Sequence, residues 1–79
     1  MSVAEKIEAC VLAAIDDADV DVSDIGGGHF EIKVVSAAFQ NKSLLQKQRL
    51  VYSAIADLMK GADAPVHAID KLHTLIPES

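Results

Sequence analysis

Three consecutive glycines, Gly26-Gly27-Gly28, separate two segments in which apolar and polar residues alternate. Before them, Val20 and Val22 alternate with Asp19 and Asp21 in a short half-exposed strand running to about residue 25. After them, Phe30, Ile32 and Val34 alternate with Glu31 and Lys33 over about residues 29–35. Alternation on both sides of a glycine turn specifies an antiparallel hairpin. Val3, Ile7, Cys10, Val11, Ala14 and Ile15 recur at helical spacing behind Ser2, an N-capping residue, and predict a helix over about 3–15. Asp16-Asp17-Ala18-Asp19 would oppose the dipole at the end of that helix and stops it.

Beyond the hairpin, residues 36–42 read as irregular, with Phe39 turned into the core and Asn41 suited to a positive φ. Ser43 caps a long second helix, in which Leu44, Gln48, Val51, Ile55, Leu58 and Met59 form one face up to Lys60, and Gly61 suits the left-handed position that ends it. Residues 62–65 form a connector, Val66 to about Leu75 a third strand, and Pro77-Glu78-Ser79 a loose tail. The order helix, strand, strand, helix, strand gives an α/β (α+β) fold, a three-stranded sheet covered on one face by helices. A strand that follows a helical crossover pairs in parallel with an earlier one. The 79 residues make one domain, without an internal repeat.

Charge and composition narrow the function classes. Twelve acids against seven bases give a net charge of −5, which repels phosphate backbones, and two Phe, one Tyr and no Trp offer no stacking platform for single-stranded nucleic acid. Cys10 is the only cysteine, so no internal disulfide forms, and its place on the apolar stripe of the first helix marks it as a buried, inert thiol. No apolar run reaches the roughly 18–20 residues of a membrane span, and Met-Ser-Val-Ala-Glu-Lys does not read as a signal peptide. The expectation is a soluble protein of a reducing compartment, cytoplasmic, with a mitochondrion or the nucleus also open.

Three histidines are the candidates for metal or proton chemistry. His29 sits between Gly28 and Phe30 where the loop enters a strand, His67 follows Pro65-Val66 at the start of the third strand, and His73 lies late in that strand without a local partner. No His-x-x-His or Cys-x-x-Cys spacing builds a site locally, so a metal site has to come from the fold or from a second molecule. Gly26-Gly27-Gly28 neither opens a helix nor precedes Lys-Ser or Lys-Thr, and reads as a turn, not a phosphate loop. No nucleophile sits on a strained elbow, so no catalytic triad is assigned. Lys42, Lys47, Arg49 and Lys60 against the single acid Asp57 make the second helix a locally basic docking candidate, for a nucleic acid or an acidic protein.

Three segments carry a family resemblance: Phe30-Glu31-Ile32-Lys33-Val34-Val35-Ser36-Ala37-Ala38-Phe39, then Lys42-Ser43-Leu44-Leu45-Gln46-Lys47-Gln48-Arg49-Leu50-Val51-Tyr52, then Val66-His67-Ala68-Ile69. A V-V-S-x-x-F segment, a Q-(R/K)-x-R-x-V-Y helix start and a V-H-A strand in this order resemble the BolA family over nearly the whole chain. The resemblance implies the BolA-like, type II KH-like fold, in agreement with the order of elements above. The chain departs from the family pattern in Gln48, where many members have histidine, and in Asn41, where glycine is common. The stretch from His67 to Pro77 runs one residue longer than usual, which allows a bulge.

The resemblance implies binding in place of catalysis. BolA-like proteins pair with monothiol glutaredoxins, and such a pair holds a [2Fe-2S] cluster ligated by the glutaredoxin cysteine, glutathione and histidine from the BolA-like partner. The family's V-H-A histidine maps onto His67, and the loop ligand onto His29. The expected protein is a non-enzymatic adaptor in iron–sulfur trafficking or iron and redox regulation. It would dock through its second helix and third strand, with Lys42, Lys47 and Arg49 as partner-binding residues, and would carry no cofactor and be monomeric or weakly dimeric when alone. The alternative is a nucleic-acid-binding transcriptional regulator that uses the basic helix, although no GXXG loop lies between helices here.

Overall fold

The computed structural model describes residues 2–78, so Met1 and the last residue of the predicted tail, Ser79, lie outside it. The chain runs through helix α1 (Val3–Ala14), strands β1 (Asp19–Gly26) and β2 (His29–Val35), a short 3-10 turn over Ala37–Phe39, helix α2 (Leu44–Ile55), and strand β3 (Ala68–Leu75). The sheet order is β1-β2-β3, with β1 and β2 antiparallel and β2 and β3 parallel, as the hairpin and the helical crossover require.

Both helices begin on a reciprocal cap. Ser2 Oγ accepts from the Glu5 amide while the Glu5 carboxylate accepts from the Ser2 amide, and Ser43 and Gln46 repeat the arrangement on α2. Asn41 takes φ 62 and Gly61 φ 84, the left-handed conformations expected of them.

Phe30, Ile32 and Val34 on one face of β2 are buried, and Ile7 and Val11 of α1 with Val51 and Ile55 of α2 close over them. Burying each such side chain contributes roughly 1.5–3 kcal/mol. Phe39 is also fully buried, and the opposite face of β2 exposes Lys33 and half-exposes Glu31.

Five expectations need correction. The α-helical hydrogen bonding of α2 ends at Ile55 and gives way to a 3-10 turn over Ala56–Met59, short of Lys60. The Leu58 carbonyl accepts from the Val66 amide at 3.1 Å, which folds the connector back against the helix end. Strand β3 begins at Ala68, not Val66, where the ladder with β2 starts opposite His29, and His67 precedes the strand. Leu44, in the first turn of α2, is 60% exposed, ahead of the turns that reach the sheet. Cys10 is half-buried at the edge of the core and Ala14 is exposed.

Strand β3 breaks its alternation once. Ile69 lies opposite Phe30 and Lys71 opposite Glu31, so Asp70 is an extra residue bulged out of the ladder. The bulge resets the phase: Ile69, Leu72 and the buried Thr74 share the core face, leaving Lys71, His73 and Leu75 on the other. Without it, Lys71 would turn into the core.

Asp17, just past α1, ties the helix end to the end of β2. Its carboxylate accepts from the buried Ser36 hydroxyl at 2.6 Å and from the Ala37 amide at 3.0 Å, and these bonds hold its pKa below the usual carboxylate value. A carboxylate whose pKa is lowered by folding stabilises above its unfolded pKa, and the contribution is lost as pH falls through the folded value. Asp17→Ala is therefore expected to lower the urea midpoint at pH 7 and to converge on the wild type at pH well below about 4; a gap of constant size would refute the assignment. Ile32→Ala, in the middle of the core, is expected to cost about 2–5 kcal/mol at every pH.

Candidate functional site

The turn between β1 and β2 is built from backbone that only glycine adopts easily. Gly26, Gly27 and Gly28 have φ 104, 64 and 82, and the Asp24 carboxylate accepts from the Gly26 amide at 2.9 Å. Positive φ at both central residues matches the twist of the hairpin and delivers the chain directly into His29.

The same turn receives the other end of the molecule. The Gly28 carbonyl accepts from the amides of His67, at 2.8 Å, and Ala68, at 3.2 Å, and Ala68 then lies opposite His29 in the parallel ladder. The His67 ring rests against Gly28 so closely that a Cβ on that residue would meet His67 Cδ2 at 2.1 Å. His29 and His67, distant in sequence, thereby come to one end of the sheet, both exposed.

The two rings are held differently. His29 Nδ1 bonds Asp70 Oδ1 at 2.8 Å, with both side chains a little under half exposed. No carboxylate lies within ion-pair distance of His67 among the described residues. His73 stands apart: its Nε2 bonds Glu31 Oε2 at 3.1 Å on the open sheet face, further along the strands. Among the described residues no group of three or more His, Cys, Asp or Glu side chains is placed to hold a metal ion. His29 and His67 thus supply two imidazoles at one end of the sheet, too few to complete a metal site by themselves.

The basic residues of the second helix do not form one patch. Lys42 and Arg49 line a shallow groove with Asn41, Gln46, Leu50 and Ser53. Lys47 precedes Arg49 by two residues, about 200° around a helix, and is half-buried outside that groove. Lys60 pairs with Asp57 at 3.1 Å on the surface. No helix among the described residues is long and apolar enough to cross a membrane.

Sequence reasoning missed Asp70. The available signal was the three-residue step from Ile69 to Leu72 in an otherwise alternating strand, which requires one extra residue between them if both are to face the core.

Gly28→Ala tests the junction. Both the left-handed φ and the overlap with the His67 ring oppose a methyl group there, so a loss of roughly 1–3 kcal/mol is expected, with large shifts of the His67 ring resonances. An unshifted His67 spectrum would show that the ring does not lie on Gly28.

Comparison with known proteins agrees with this architecture. The chain is 35% identical over 68 residues to Protein BOLA2 of Arabidopsis thaliana, an alignment covering 82% of this chain and 69% of that one. It is 46% identical over 41 residues to BolA-like protein 1 of Homo sapiens, covering 52% of this chain and 28% of that protein's length. Among solved structures, a bol-like protein from Babesia bovis superposes with a TM-score of 0.80 at 32% identity, covering 98% of this chain and 87% of the other. The BolA domain of SufE1 from Arabidopsis thaliana gives 0.81 at 27% identity, covering 98% and 94%. With a BolA-like protein family model matching residues 5–79, in addition to these likenesses, the chain belongs to the BolA-like family.

Proposed function

We propose that this protein is a non-enzymatic adaptor that pairs with a monothiol glutaredoxin and presents His67 and His29 to a [2Fe-2S] cluster shared with that partner and glutathione. The observation that carries the reading is the convergence of the two histidines on Gly28, at one exposed end of the sheet. Neutral imidazole is a suitable iron ligand, and clusters with two histidines and two thiolates are a known ligation type. Two donors here leave the thiolates to the glutaredoxin cysteine and glutathione. The cluster, when bound, would supply electron transfer or be passed on as cargo. The chain's own residues supply donor nitrogens, and the half-built site makes loading depend on the partner.

Docking would use α2 and β3, which lead to and from the junction, with Lys42 and Arg49 framing one groove on α2 and Lys47 on another side of the helix. The nucleic-acid alternative has less support. The four basic side chains are dispersed, Lys60 already faces Asp57, and the overall charge is −5.

The test is visible absorption and circular dichroism of the protein mixed with cluster-loaded monothiol glutaredoxin and glutathione. A new wild-type spectrum is expected, altered by His67→Ala and left unchanged by His73→Ala. Identical spectra for all three proteins would defeat the ligand assignment.

A further inference from the structure

We propose that Asp70, the residue extruded by the β3 bulge, is a positioning residue for His29. It holds the ring in the Nδ1–H tautomer and so makes Nε2 the donor that His29 offers a metal centre. The inference rests on the cluster-sharing function proposed above.

An ionised carboxylate only accepts hydrogen bonds, so the 2.8 Å contact between His29 Nδ1 and Asp70 Oδ1 places the proton on Nδ1. In the neutral ring the lone pair then belongs to Nε2. A carboxylate behind a ligating imidazole is a recurrent device for fixing both tautomer and ring orientation and for raising donor strength.

The bulge is what makes the contact. Asp70 has no partner of its own in the β2–β3 ladder, whereas its neighbours Ile69 and Lys71 pair with Phe30 and Glu31. Released from the pleat, its side chain reaches back past Ile69 to His29, across a sequence separation of 41 residues. His73, whose Nε2 is engaged by Glu31, shows that a histidine–carboxylate pair by itself does not define the site. What distinguishes His29 is that its partner takes Nδ1 and that it directly follows Gly28, on which the His67 ring rests.

Because both members of the pair are substantially exposed, the bond adds little to stability, and Asp70→Ala is expected to fold normally. The first measurement is nitrogen-15 chemical shifts of the imidazoles in the protein alone, at a pH where the rings are neutral. Wild-type His29 is expected as the Nδ1–H tautomer. In Asp70→Ala it should shift towards Nε2–H while His67 is unaffected, and Asp70→Glu should recover part of the wild-type population. The second is the rate of cluster loss from the glutaredoxin complex to a chelator. Asp70→Ala should accelerate it by about 10–100-fold, the usual cost of losing a carboxylate behind a metal-bound histidine.

An unchanged His29 tautomer in Asp70→Ala would overturn the proposal, as would cluster retention equal to wild type when His29→Ala loses the cluster. Complex spectra insensitive to both His29→Ala and His67→Ala would instead sink the cluster-sharing function and with it the donor role. The tautomer measurement would then decide separately whether Asp70 orients the ring.

Discussion

The carbonyl of Gly28 fixes where the third strand begins. By accepting from both His67 and Ala68 it sets Ala68 opposite His29 and Ile69 opposite Phe30, the two pairs that precede the bulge. Parallel strands have no short turn to define their register, so a contact at the crossover's end has to do it. Gly28 is suited to this because it has no Cβ: the His67 ring occupies the space a side chain would need. The start of β3 and the position of one candidate ligand are therefore consequences of a single close approach.

Register alone would place β3 wrongly. Ile69 and Leu72 are three residues apart, and a regular strand would send one of them to solvent and Lys71 into the core. Extruding Asp70 resolves the conflict, since one unpaired residue turns both apolar side chains to the helices. The same extrusion supplies His29 with its carboxylate. A packing requirement and a candidate site feature thus share one cause, the phase of the apolar side chains. Thr74 shows how firmly phase decides burial: it is inside with its hydroxyl unpartnered among the described residues, while Leu75 next to it is 45% exposed.

Most of the fold was legible because its determinants are local. Alternation in β1 and β2, the glycine turn between them, Ser2 and Ser43 as caps, Asn41 and Gly61 at positive φ, and the burial of Phe39 each follow from a few neighbouring residues. The pairing of His29 with His67 was legible only through the family resemblance, because nothing in their spacing brings them together. Contacts between distant segments left no pattern beyond the three-residue step from Ile69 to Leu72 that marks the bulge. The Asp17 bonds to Ser36 and Ala37, the Leu58 carbonyl that receives Val66, and the His29–Asp70 bond all depend on where separate elements dock. The basic helix shows the opposite error: charges close in sequence looked like one face, but two residues carry a side chain more than halfway round a helix.

Stability and site chemistry are carried by different parts of this chain. The core lies between the helices and the inner face of the sheet, at Phe30, Ile32, Val34 and the side chains of α1 and α2 that cover them. His29, His67 and Asp70 are exposed at one end of the sheet, so they are free of the desolvation that would make buried donors costly. Exposure has a second consequence: water would compete for any metal there, and two imidazoles on an open rim would hold it weakly. A small domain that offers such a rim gains strong ligation only when a partner closes over it and adds charged thiolates. In the function proposed above, dependence on a partner would follow from how the site is built, because the geometry that spares the core also leaves the donor set incomplete.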